Sequence, residues 1–249
     1  MKFLEYINEK HWLSRVDPRL KLITTLVLLV MVISYRGFAF HGLIVVLTAV
    51  LMVQMKVPWR LLCLRFLEPA FIVCVILLLK LFFSGQEELF SFTLMGLKIT
   101  GFREGLMEGL AIGSRIIAAI SVVAVLVFST RFIDLIAALA WFKMPREFIE
   151  IMVYAYRYIF VLVEEAGVIY SAQKNRLGYA SLRQGFASLG ILAGSLIIKA
   201  FEHSQNITAA MVRRGYDGRI PLLAHAPFRL SQIAVSILII MVMGIAWKI

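Results

Sequence analysis

Five apolar stretches, four in the first half of the chain and one at its end, fix what this sequence can fold into. A helix needs about 20 mostly apolar residues to cross the hydrocarbon core of a bilayer. The candidates are Leu20–Tyr35, Phe38–Met55, Phe66–Phe83, Gly105–Phe128 and Leu230–Trp247. Their polar interruptions are few: His41 and Gln54 in the second, Glu68–Pro69 and Lys80 in the third, Glu108 and Arg115 in the fourth. With 61% hydrophobic and 16% charged residues, the chain lies outside the soluble globular class and among helical membrane proteins. Between the fourth and fifth stretches, residues 130–229 break this pattern: they are helical in periodicity, rich in Arg and repeatedly charged.

The net charge of +11 bears on topology more than on nucleic acid, because Lys and Arg accumulate in cytoplasmic loops. Lys2, Lys10, Arg15, Arg19 and Lys21 place the N-terminus inside, and Lys56, Arg60 and Arg65 place the second connection there too. The segment Ser84–Glu104, with Glu87, Glu88 and Glu104 against Lys98 and Arg103, suits the outside. About five spans, N-in and C-out, satisfy this bias in a multi-pass protein of the cell inner (cytoplasmic) membrane. No cleavable leader is expected: the opening residues are mixed in charge, and no small-residue cleavage site follows. Cys63 and Cys74 sit in or beside an apolar helix and imply no disulfide framework.

The central segment divides into three expected helices, with turns at Lys143–Pro145 and Leu177–Ser181. A short one covers about Thr130 to Phe142. The next starts at Pro145, whose missing N–H is harmless in a first turn. On it, Glu147, Glu150, Tyr154, Arg157, Glu164, Glu165 and Arg176 share an arc of about 120° at 100° per residue. Ile149, Met152, Tyr156, Ile159, Phe160, Val163 and Tyr170 occupy the opposite arc. Such a two-faced helix suits the cytoplasmic boundary better than a bilayer crossing. The third helix runs from Ser181 to Arg214, with a polar stripe of Gln184, Ser188, Ser195, Lys199, Glu202, Asn206 and Arg213. Its apolar stretch, Phe186–Ile198, is expected to be too short to cross alone.

Both long helices end in Arg closely followed by Gly. The first end reads Ala172-Gln173-Lys174-Asn175-Arg176-Leu177-Gly178-Tyr179, the second Ala210-Met211-Val212-Arg213-Arg214-Gly215-Tyr216-Asp217-Gly218. Ordinary capping accounts for much of this: Gly past a helix supplies a left-handed residue, and Arg in the last turn complements the helix dipole. Recurrence, and the place of Arg214 at the edge of the apolar arc, add a functional reading. A guanidinium at a helix tip can bind the carboxylates of a partner's groove bidentately.

These motifs resemble the T component of energy-coupling-factor transporters, of the CbiQ type associated with cobalt or nickel uptake. That family ends two coupling helices in Ala-x-x-x-Arg-Gly-like signatures. Ala210 to Gly215 matches the second; in the first, Ala172, Gln173 and Arg176 fit, but Leu177 stands where Gly is expected and Gly178 comes one later. His11 to Leu22, with Asp17-Pro18-Arg19-Leu20-Lys21, resembles the family's N-terminal Leu-Asp-Pro-Arg-x-Lys signature, with Val16 for Leu. The resemblance implies a subunit with no chemistry of its own. Two cytoplasmic CbiO-like ATPases bind ATP and dock on Arg176 and Arg214, with Ala172, Gly178, Ala210, Arg213 and Gly215 completing the signatures. A CbiM-like membrane subunit, with or without a CbiN-like one, binds the substrate and meets the apolar helix faces.

The expected fold is therefore an all-α integral membrane protein with about five transmembrane and three cytoplasmic coupling helices. Membrane helices cover 1–129, the coupling region 130–226 and a closing membrane helix 227–249. His11, His41, His203 and His225 share no metal-ligand spacing, and neither a phosphate loop nor a nucleophile–base pair is present. No metal, cofactor, enzymatic activity or nucleic-acid partner is expected. Glu108 and Arg115 are costly in lipid, and pairing with other buried polar groups is their simplest role. Three alternatives share the composition: a vitamin-specific T subunit, a secondary carrier, and a membrane docking protein unconnected with transport. A carrier calls for a midplane site built from paired halves, and no internal repeat is visible.

Overall fold

The computed structural model describes residues 13, 16–35, 37–85, 88–94, 97–216 and 230–248. In chain order they form α1 (Pro18–Ser34), α2 (Ala39–Gln54), α3 (Trp59–Phe83), β1 (Glu88–Leu94), β2 (Leu97–Phe102), α4 (Arg103–Ser129), α5 (Phe132–Trp141), α6 (Arg146–Asn175), α7 (Leu182–Arg213) and α8 (Leu230–Lys248). Two compact units result, one of residues 1–138 with 226–249 and one of residues 139–225. His11, Arg15, Asp217, Gly218 and His225 lie outside the described residues.

The expected helices appear with shifted ends. Asp17 caps α1, its carboxylate accepting from the Arg19 N–H at 3.0 Å, and Pro18 opens the helix. The third helix was expected from Phe66 but begins at Trp59, because Pro58 in extended conformation already supplies a start. Arg60 and Arg65 are thus helical, and Pro69 lies inside the helix, where its missing N–H removes one backbone bond. The connection expected as an outer loop contains an antiparallel two-stranded hairpin that pairs Ser91 with Thr100, Phe92 with Ile99 and Leu94 with Leu97.

In the first unit α4 is the central post, packing against α1, α2 and α3, while α8 packs on α1. Leu28, Val32, Phe40, Ile44, Ala118, Val122 and Met243 form one buried cluster; Met52, Met55, Val57, Ala124 and Phe128 form another. Close approach of α3 and α4 depends on glycines one turn apart. A Cβ on Gly105 would collide with the carbonyls of Lys80 and Ser84, and one on Gly113 would lie 2.7 Å from Val73 Cγ1. This spacing of small residues lets helix backbones approach closely in an apolar medium.

Several polar side chains of this unit find side-chain or backbone partners. Lys80 donates to Glu108 at 2.9 Å, Arg115 Nη2 donates to the Tyr35 carbonyl at 3.1 Å, and His41 bridges the Val32 carbonyl and Ser114 Oγ at 3.1 and 3.2 Å. Large apolar side chains meanwhile face outward, Phe71 and Leu238 among them, as a lipid-facing surface requires.

Three described helices are long and apolar enough to cross a membrane: α3, α4 and α7. The last was expected to fall short. Phe186–Ile198 is short, but the 32-residue helix contains an 18-residue window with a mean hydropathy of 1.4, apolar enough to cross. At 1.5 Å per residue, α1 and α2, with 17 and 16 residues, reach only about 25 Å.

In the second unit α6 and α7 form an antiparallel hairpin turned through residues 176–181. Contacts follow its whole length: Gln173 Nε2 donates to the Ser188 carbonyl at 3.0 Å, and Glu165 accepts from His203 Nε2 at 3.0 Å and pairs with Lys199 at 3.5 Å. Further along, Tyr154 Oη lies 3.2 Å from Met211 Sδ and Tyr216 Oη 3.5 Å from Glu150. Part of each expected polar stripe therefore faces the other helix. Residues of the apolar arcs, such as Val163 at 64% and Ile197 at 71% exposure, face away. Polar contacts run along the seam, and outside it large apolar side chains lie exposed beside charged and polar ones such as Arg157, Glu164, Glu202 and Asn206.

Candidate functional site: two capped helix ends

Each long helix terminates in the same way. After α6 the Leu177 N–H bonds to the Lys174 carbonyl at 3.1 Å and the Gly178 N–H to the Gln173 carbonyl at 2.9 Å. After α7 the Gly215 N–H bonds to the Val212 carbonyl and the Tyr216 N–H to the Met211 carbonyl, both at 3.0 Å. These paired bonds define a Schellman cap, which satisfies the last carbonyls of a helix with one left-handed residue. Arg176 and Arg214 are the two cap residues, with φ of −94° and −91°.

The caps differ in what fills the left-handed position. At the second end it is Gly215, with φ of 79°, as the sequence led one to expect. At the first it is Leu177, with φ of 58°, not Gly178. Gly178 serves another purpose, because a Cβ there would lie 2.7 Å from Ser188 Oγ and 2.9 Å from the Gln173 carbonyl. Ser188 Oγ donates to the Gly178 carbonyl at 2.8 Å, and Tyr179 Oη donates to Gln173 Oε1 at the same distance. The first tip is therefore braced against the start of α7. In the sequence Gln173 and Ser188 gave no sign of this, since the contact joins residues on either side of a turn.

Ala172, Arg176, Ala210, Arg213, Arg214 and Gly215 are all exposed, and Gly178 is half-buried. The two groups are not brought together. Because α6 and α7 run antiparallel, Arg176 and Arg214 sit at opposite extremities of the hairpin, about 45 Å apart at 1.5 Å per residue. Arg213 is the final residue of α7, one before its cap, and occupies the place of Asn175 at the first end. The arrangement presents two separate, exposed cationic tips.

Residues 9–224 match the CbiQ model, described as cobalt transport protein. The chain belongs to the CbiQ family of transporter T components. It is a multi-pass membrane protein. Among relatives of this CbiQ-family chain, an uncharacterized protein of Methanocaldococcus jannaschii is 32% identical over 85% of this chain and 79% of its own length. The energy-coupling factor transporter transmembrane protein EcfT of Staphylococcus aureus is 25% identical over 97% of this chain and 92% of its own. A putative fused cobalt transport protein CbiMQ of Methanocorpusculum labreanum is 33% identical over 53% of this chain, which covers 22% of that longer protein.

Proposed function

We propose that this chain is the energy-coupling subunit of a cobalt (or nickel) uptake transporter in the cytoplasmic membrane. It passes the ATP-driven motion of two cytoplasmic ATPases to a separate substrate-binding membrane subunit. The observation that carries the reading is the matched pair of Schellman caps, each presenting an exposed Arg at one extremity of the same hairpin. One ATPase takes Arg176 and the other takes Arg214 with its neighbour Arg213. Guanidinium groups at rigid helix ends suit carboxylate-lined grooves. ATP is bound by the partners, and the chain itself performs no reaction.

The apolar exterior of the hairpin supports a second part of the reading. Val163, Phe186, Ile191 and Ile197 are large and exposed, so an apolar partner or the membrane interface covers them. The fused CbiMQ relative supports a CbiM-like subunit as that partner. The expected topology, N-terminus inside with the α6–α7 hairpin on the cytoplasmic face, places both tips where ATPases reach them. Although α7 is long enough to span, the Lys199 and His203 contacts with Glu165 and the exposed Glu202, Asn206 and Arg213 favour a position outside the hydrocarbon core.

Co-purification of the chain with its ATPase partners tests the reading. Arg176→Glu and Arg214→Glu are each expected to weaken assembly at least tenfold and to abolish cobalt(II) uptake, with membrane insertion unchanged. Full assembly and uptake in both variants would refute it. Wild-type assembly without cobalt uptake would assign another substrate.

A further inference from the structure

A hairpin that receives force at its Arg tips needs a fixed joint where it meets the membrane helices. The chain leaves the membrane helices at the end of α4, where Ser129 is the last helical residue and Thr130 turns to an extended conformation, φ −136° and ψ 130°, before α5 begins. Both residues are buried. The ammonium of Lys21, one turn into α1, reaches across to this point. Its Nζ donates to the Ser129 carbonyl at 2.7 Å and lies 3.4 Å from Thr130 Oγ1.

The contact has the right electrostatics for a clasp. The final carbonyls of a helix carry its negative pole and lack intrahelical donors, so a cation there satisfies both. The ammonium is largely buried, and the charges of Asp134 and Asp17 offset part of that cost, Asp134 being itself held by Arg131 at 3.1 Å. The start of α1 is anchored in turn, since the Asp17 N–H donates to Gln232 Oε1 of α8 at 3.1 Å. The Asp17-Pro18-Arg19-Leu20-Lys21 segment thus ties the beginning of one membrane helix to the start of another and to the end of a third.

We propose that Lys21 is a positioning residue for energy coupling: it pins the Ser129–Thr130 joint so that motion of the α6–α7 hairpin is transmitted and not absorbed there. This rests on the coupling role proposed above. Without the clasp the joint still exists as covalent chain, but it flexes, and ATP is hydrolysed without transport.

The test uses the complete complex in proteoliposomes, with cobalt(II) as the transported probe and ATP hydrolysis measured in the same vesicles. Lys21→Met keeps length and packing but removes the donor. It is expected to leave co-purification with the ATPases within about twofold of wild type and to lower the uptake-to-hydrolysis ratio at least tenfold. Lys21→Arg is expected to restore at least a third of that ratio. An unchanged ratio in Lys21→Met overturns the proposal. So does loss of insertion or assembly, which would mark Lys21 as structural only. The wild-type complex run in parallel separates this from the parent reading: if wild type neither binds ATPases nor takes up cobalt(II), the coupling role itself falls.

Discussion

Leu177 and Gly215 occupy the same place in two helix caps, each the single left-handed residue past its helix, at φ of 58° and 79°. For Leu that conformation costs about 1–2 kcal/mol, and for Gly essentially nothing. Leu177→Gly should remove this strain at an entropic cost of about 0.5–1 kcal/mol, for a net gain of up to about 1.5 kcal/mol. Gly178→Ala should do the opposite, losing about 1–3 kcal/mol because the new Cβ meets the Gln173 carbonyl and Ser188 Oγ. Amide hydrogen exchange across 170–190 reads both: slower in the first variant, faster in the second.

Antiparallel α6 and α7 set the separation of the tips. Spin labels at positions 176 and 214 should give a distance distribution centred at about 45 Å, broadened by the label linkers. A distribution centred below about 25 Å would mean the hairpin is folded back and the tips adjacent.

The seam should loosen in acid. The hydrogen bond from His203 is the main influence holding the Glu165 carboxyl below its ordinary pKa of 4.5, with Lys199 adding to it and partial desolvation opposing. A depressed carboxyl pKa contributes stability that is fully present above the ordinary value and lost as pH falls through the lowered one. Exchange of α6 and α7 amides, after correction for intrinsic rates, should therefore accelerate as pH falls below about 4.5. Glu165→Gln should abolish that acid step.

Between α3 and α4 the requirement is for absence of side chain. Gly113→Ala should lower the midpoint of thermal unfolding in detergent by several degrees, because Val73 must give way. Gly105→Val should yield no folded protein, since the obstacles are the carbonyls of Lys80 and Ser84, which cannot move without breaking α3. Recovery of a monodisperse Gly105→Val protein would refute the close approach.

What the sequence revealed depended on range. Periodicity along one helix is local, so the 30-residue α6 and the 32-residue α7 emerged with ends within about two residues. The Arg tips were legible because they recur. Contacts between helices were not. Helical arcs separated polar from apolar residues on α6 but did not say which face meets α7, where Glu150 and Glu165 make their contacts. The Gly105-x-x-x-Gly109-x-x-x-Gly113 spacing was available as a signal for α3–α4 packing and was overlooked. The role of Leu177 was hidden, because a β-carbon in left-handed backbone runs against local preference and is imposed by the cap.

The polar seam between α6 and α7 has a mechanical consequence. Interlocked apolar side chains resist sliding, whereas Tyr–Glu, Tyr–Met and Glu–His contacts re-form after small displacements. Equal pulls toward the centre at Arg176 and Arg214 do not translate such a pair. Under the proposed coupling role, a symmetric squeeze by two motors would enter the hairpin as shear between its two rods, resisted at the braced 176–181 turn.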